Sequence, residues 1–187
     1  MPDILTPVPA VDRCPQNAPD GGHMMKPTAL SAVRSCAYCG TPEQPTGLLV
    51  VIPCAARKLD RPAPAGELYQ GSYHRACRQT ADALTADGGT TVILSGLHGI
   101  LPLYRTVEPY EMRMGDPGSV TADQLRDQAR TLGLADARTV VVLAGALYVD
   151  AARQVWPHAF APLTGRGIGR QLRRLVELRA EPLFPLV

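Results

Sequence analysis

The sequence predicts an α/β protein, a three-layer sandwich around a mainly parallel central sheet, and three observations carry the prediction. Residues 48–52 form an unbroken apolar run, and 90–94 and 139–143 are short β-branched runs that open on threonine and continue apolar. Such runs lack the polar alternation of a half-exposed strand, so they read as strands buried on both faces. Segments with helical spacing follow them, and this alternation has the βαβ period that builds a parallel sheet. The length, 187 residues, suffices for one domain with a core that needs no disulfide or metal.

Taken in order, residues 1–28 contain Pro2, Pro7, Pro9, Pro15, Pro19 and Pro27 with Gly21 and Gly22 and show no sustained periodicity. They read as a flexible N-terminal extension. Residues 29–47 form a segment around a CxxC turn, and residues 48–187 form the single α/β domain. Within it, the first strand is followed by a loop that Pro62 and Pro64 keep non-helical as far as Glu67. Residues 72–86 then suit an amphipathic helix capped by Ser72, ended by Gly88 and Gly89. After the second strand, residues 121–132 form a helix with Thr121 as N-cap and Gly133 as stop. The third strand leads into a helix over 147–155, Pro162 and Leu163 extend a short edge strand, and 168–178 is the last helix. Trp156 reads as core packing.

A formal charge of +2 is too mild to announce a nucleic-acid binder, although Arg166, Arg170, Arg173, Arg174 and Arg179 make the last quarter locally basic. That cluster reads equally as a solvated helix face. No apolar stretch reaches the roughly 18 residues of a membrane span, and the N-terminus lacks the pattern of a secretory signal, so a cytoplasmic protein is expected. Five cysteines, an odd number, fit reduced thiols better than a disulfide framework. Cys36 and Cys39, in C-A-Y-C-G, have the spacing with which two thiolates converge on zinc, and His74 with Cys77 would complete a tetrahedral site. Cys14, His23 and Cys54 are less well spaced for it. No cofactor is required by the sequence; a structural zinc is the one candidate, and a surface turn with free thiols is the competing reading.

In a parallel sheet, ligands bind outside the carboxyl ends of the strands. Residues 53–58, 95–99, 144–146 and 165–169 should therefore gather at one edge. The first of these, P-C-A-A-R-K, places Cys54, Arg57 and Lys58 where an anion pocket forms, with Ser72 at the following helix start. Ser95 and Gly96 follow the second strand, and Gly145, Gly167 and Gly169 would let backbone N–H groups approach a ligand. Tight turns explain such glycines as well. His98 titrates in the range useful for acid, base or hydrogen-bond work, and Glu108, held extended by Pro109, is the most suggestive carboxylate. A carboxylate facing a sugar C1′ can stabilise an oxocarbenium-like centre or attack it. Tyr69, Tyr73 and Tyr110 can stack on a base or bond a phosphate, or fill the core. Cys54 reads as a ligand contact or, with a nearby base, a nucleophile.

Together P-C-A-A-R-K-L, L-Y-Q-G-S-Y-H, V-I-L-S-G-L-H-G-I-L, E-P-Y and G-I-G-R-Q-L resemble a bacterial family of unknown function whose members look distantly like the peroxide-stress YaaA-like proteins. The resemblance runs from about Leu48 to Leu175. The P-C-x-x-R-K motif, followed by a tyrosine, a serine and a histidine, also looks like the core motif of the archaeosine synthase alpha subunit, which attaches lysine to a deazaguanine base in transfer RNA. On that likeness Pro53, Cys54, Lys58, Tyr69, Ser72 and His74 line the pocket, with Tyr69 set further from Lys58 than in that family. What it implies is a pocket for a modified base, a nucleotide or a nucleic-acid end. The functional expectation is an enzyme acting on a nucleotide or on a base in nucleic acid, at the N-glycosidic bond, with Glu108 and His98 catalytic. The alternatives are a non-catalytic nucleic-acid-binding protein of stress or damage protection, and a zinc-stabilised interaction module. Oligomeric state is not legible.

Overall fold

The three apolar runs are the parallel core of the sheet in a computed structural model, which describes residues 25–28, 31–36, 47–86 and 88–180. The chain divides into two units, residues 1–44 and 45–187. In the first, β1 (Met25–Thr28) and β2 (Ser31–Cys36) pair antiparallel, Met25 opposite Cys36. The hairpin occupies the end of the segment read as an extension and the start of the CxxC segment.

In the second unit, β3 (Leu48–Pro53) lies between β5 (Thr90–Ser95) and β8 (Thr139–Val142), parallel to both. A fourth strand, β6 (Gly99–Pro102), turns back antiparallel against β5, giving the order β6-β5-β3-β8. Period-two alternation sends Leu49, Val51, Val92, Leu94, Val140 and Val142 into one apolar cluster. Val50, Ile52, Ile93, Val141 and Leu143 go into a second. Two buried faces explain why the fully buried part of each run is apolar, with the threonines confined to its start.

Helices supply the facing side chains. α2 (Ser72–Leu84) contributes Cys77 and Ala81, and α5 (Ile168–Ala180) Leu175 and Leu178, to the second cluster. α3 (Ala122–Thr131) contributes Leu125 and Ala129, and α4 (Ala146–Arg153) Val149 and Ala152, to the first. Trp156 joins that first cluster and donates its indole N–H to the Leu134 carbonyl at 2.8 Å, so it is core packing with its polar atom satisfied. α3 opens with a capping box: Thr121 Oγ1 accepts from the Gln124 N–H, and Gln124 Oε1 accepts from the Thr121 N–H.

Several short elements differ from expectation. The proline loop contains β4 (Ala63–Pro64), paired with β7 (Thr106–Val107), and one helical turn, α1 (Ala65–Leu68). α2 is not capped by Ser72: Gly71, in extended backbone, holds the N-cap position with no side-chain bond, and Ser72 is the first helical residue. The edge strand read at Pro162 and Leu163 is a single parallel bridge between Val141 and Phe160. Among the described residues no helix is long and apolar enough to cross a membrane.

Candidate functional site

Strand ends place the first site residues. Cys54 follows β3, its N–H bonded to the Leu94 carbonyl, and Ser95 ends the neighbouring β5. Lys58 is brought opposite Tyr69 by an antiparallel bridge, closed by bonds from Leu59 N–H to Leu68 O and from Gln70 N–H to Arg57 O. His74, in the first turn of α2, donates from Nδ1 to the Pro53 carbonyl at 2.7 Å, since a carbonyl can only accept. That bond fixes the tautomer and leaves Nε2 as a lone-pair acceptor, buried and without a partner among the described residues. The turn from β5 to β6 is clamped from α3: Gln128 Oε1 accepts from the Ile100 N–H, and Gln128 Nε2 donates to the His98 carbonyl. Gly99, between them at φ +71°, leaves the room that the Gln128 amide fills.

A hydroxyl chain forms the centre. Ser95 Oγ, fully buried, accepts from the N–H groups of Leu97 and His98 at 3.2 and 2.9 Å and contacts Tyr110 Oη at 2.7 Å. Tyr110 Oη contacts Tyr69 Oη, also at 2.7 Å. The His98 ring stands edge-on to Tyr110, centroids 4.9 Å apart, and its Nε2 is a second buried atom without a partner among the described residues. His74 packs against the Tyr69 ring at 5.3 Å. The Lys58 ammonium lies 4.3 Å from the centre of the Tyr110 ring, a cation–π contact, and 5.9 Å from that of Tyr69. It donates to the Ala56 carbonyl at 3.3 Å and has no carboxylate partner among the described residues. On the other side, Cys54 Sγ is 3.1 Å from Tyr148 Oη.

The electrostatics follow from this burial. Desolvation pushes the Tyr69 phenol up to about 12, against the opposing bond from Tyr110, and pushes Tyr110 and Tyr148 up as well, with Cys54 adding to each. All three are therefore neutral hydrogen-bonding groups at physiological pH. Burial also lowers both histidines below their ordinary value, reinforced by Arg105 at His98 and Arg78 at His74, and opposed at His74 by the bond to Pro53.

The structure brings together Cys54, Lys58, Tyr69, His74, Ser95, His98 and Tyr110. Other residues named from the sequence sit elsewhere. Arg57, Ser72 and Glu108 are exposed, and the Glu108 carboxylate makes no hydrogen bond or ion pair among the described residues, although it is two residues from Tyr110. Gly96 is buried for a different reason than ligand approach: a Cβ there would lie 2.6 to 2.8 Å from backbone atoms of Arg113 and Met114. Its missing side chain lets the loop that carries Tyr110 cross the strand end. Gly145 is the N-cap of α4, and Gly167 and Gly169 are exposed at the start of α5 with nothing near their Cβ positions. Tyr73 Oη donates to Gln171 Oε1 at 2.6 Å, tying α2 to α5. The basic run on α5 is partly neutralised, because Arg173 and Arg174 both pair with Glu177.

Of the zinc candidates, Cys77 is a fully buried core residue whose thiol burial pushes up to about 12, the reverse of what a thiolate ligand needs. Cys36 ends β2, while Cys39, Cys14 and His23 lie outside the described residues. Among the described residues, no group of three or more His, Cys, Asp or Glu side chains is placed to hold a metal. Tyr148 is the site residue that sequence reading missed. Its signal was its position in the first turn of the helix after the A-G-A strand end, where side chains face the ligand edge.

Comparison with known proteins extends the picture. The chain is 31% identical over 140 residues to the uncharacterized protein YfjM of Bacillus subtilis (strain 168), a match covering 68% of this chain and 91% of that protein. No solved structure matches it significantly. Residues 49–177, which include every residue of the hydroxyl chain, match the family of unknown function DUF6884, and the chain belongs to that family.

Proposed function

We propose that this protein is an enzyme acting on a nucleotide or on a base in nucleic acid, hydrolysing or exchanging the N-glycosidic bond. The observation that carries the reading is the group at the ends of β3 and β5: a lysine charge without a carboxylate partner among the described residues, stacked on a tyrosine whose hydroxyl is bonded to two others. A cation and aromatic faces suit a ligand that is anionic at one end and planar at the other. The likeness of residues 53–58 to the base-handling P-C-x-x-R-K motif points the same way. The scaffold is read as a three-layer sandwich, the helix pairs on either face leaving the strand ends open.

In this reading Arg57, Lys58 and Ser72 hold phosphate, and Tyr110 contacts the base. Glu108, brought to C1′, stabilises the cationic sugar centre as the C1′–N bond breaks and its electron pair leaves with the base. Water supplies the hydroxyl to C1′ and the proton to the base. His98, neutral at physiological pH, hydrogen-bonds the departing base rather than acting as a cationic acid. The setting would be cytoplasmic, where such substrates occur.

The test is incubation with nucleotides, DNA and RNA, modified bases included, with free bases detected by mass spectrometry. Release by the wild type, abolished in Glu108→Gln while binding persists, supports the assignment. Undiminished release by that variant removes Glu108 from the mechanism. Salt-sensitive binding with no release across the panel replaces the enzyme by a non-catalytic nucleic-acid-binding protein. A structural zinc is a separate proposal, tested by the metal content of the purified chain.

A further inference from the structure

Hydrogen counting gives the hydroxyl chain a direction. A serine hydroxyl has two lone pairs and one hydrogen. Ser95 Oγ spends both lone pairs on the N–H groups of Leu97 and His98, so its hydrogen goes to Tyr110 Oη. Three hydroxyls carry three hydrogens, but only two oxygen–oxygen contacts join them. One phenolic hydrogen is therefore left without an acceptor among the described residues. A hydroxyl that accepts becomes a better donor, so the chain runs from Ser95 through Tyr110 to Tyr69. The hydrogen left over is that of Tyr69, a residue 2% exposed.

The same place has an unbalanced positive charge. The Lys58 backbone is held opposite Tyr69 by a bridge, its ammonium lies over the Tyr110 ring, and no carboxylate answers it among the described residues. The two neighbouring imidazoles are neutral and add no negative charge. A phenolic donor without an acceptor, near a cation that no carboxylate answers among the described residues, is complementary to an oxyanion.

We infer that Tyr69 Oη and Lys58 Nζ together form a phosphate-class oxyanion subsite, with Tyr69 donating the terminal hydrogen of a chain oriented by Ser95. The inference deepens the proposed function and rests on it for the location of the ligand. It makes Tyr69 a ligand contact through its hydroxyl, while Ser95 and Tyr110 set the direction of that hydroxyl.

The experiment titrates inorganic phosphate into the full chain carrying ¹³Cζ-labelled tyrosine, for the wild type, Tyr69→Phe and Tyr110→Phe, each checked for wild-type-like thermal unfolding. Phosphate is expected to shift the Tyr69 resonance and leave that of the outlying, partly exposed Tyr104 unmoved. Tyr69→Phe loses a hydrogen bond to a charged group and should weaken phosphate binding about tenfold or more. Tyr110→Phe leaves the Tyr69 hydrogen free and should weaken it by less than about threefold. The reverse order, equal binding by Tyr69→Phe and wild type, or no phosphate binding by the wild type overturns the subsite. Base release with phosphate binding indifferent to Tyr69 sinks this inference and leaves the enzyme reading standing; a Tyr69-dependent phosphate site with no base release does the opposite.

Discussion

Replacing Gly96 by alanine tests whether the loop crossing at the strand end holds the site together. The added Cβ would stand 2.6 Å from the Arg113 carbonyl carbon, 2.7 Å from its oxygen and 2.8 Å from the Met114 nitrogen. All three are backbone atoms, so no flexible side chain can swing aside. Reaching ordinary contact at 3.4 Å requires a retreat of about 0.8 Å. Carried along the loop to Tyr110, that retreat takes its 2.7 Å contacts to about 3.5 Å, beyond hydrogen-bond length. Overpacking of this kind costs about 1–3 kcal/mol. For a chain of this size the melting temperature should fall by about 3–9 °C, read by circular dichroism. Gly169→Ala is the control, because that position is exposed, helical and open around its Cβ. There the same substitution should stabilise by roughly 0.4–1 kcal/mol through the unfolded chain. Opposite signs at the two glycines are the expected result. A Gly96→Ala protein melting within about 1 °C of wild type would refute the argument from close approach.

Three further outcomes follow from the geometry. Thr121→Ala removes the capping box of α3 and should cost about 1 kcal/mol in urea unfolding, with a Thr121→Ser protein restoring most of it. His74 is held below its ordinary 6.5 by burial, so the stability its neutral form contributes is fully present above that value. It is lost as pH falls from there towards the depressed native value, because the unfolded chain takes up the proton first. A pH series of denaturant melts should slope less steeply over this acid range in His74→Gln, and an unchanged slope counts against the buried neutral imidazole. Brief alkylation of the native protein followed by peptide mapping should label half-buried Cys54 and spare Cys77, which reacts only after unfolding. Equal labelling of the two would contradict the core position of Cys77.

What the sequence disclosed depended on how many residues share one constraint. β3, β5 and β8 each repeat the same demand at three or more successive positions, apolar on both faces, and so were legible as strands. Thr121 and Gly133 mark the ends of a helix by residue type alone. β6, with only four residues, follows β5 through a turn and reads as more loop, while β4, β7 and α1 are too short to show any period. Ser72 misled because a hydroxyl at a helix start is indistinguishable from a cap until the backbone shows that Gly71 holds that position.

The site divides along the same line. Cys54 and Ser95 were legible because a strand end must deliver them to the ligand edge, whatever the loops do. Their pairings were not: Tyr110, a candidate by residue type, reaches Ser95 only because its loop passes over Gly96, and Tyr148 reaches Cys54 from 94 residues away. Glycine at 96 looked like room for a ligand and is room for the chain's own backbone. That difference changes what the residue is expected to do. A glycine reserved for a ligand would tolerate alanine in the empty protein and fail only in binding, whereas this one should fail in folding first. The stability of the unliganded Gly96→Ala chain therefore separates a site shaped by its ligand from one shaped by the fold.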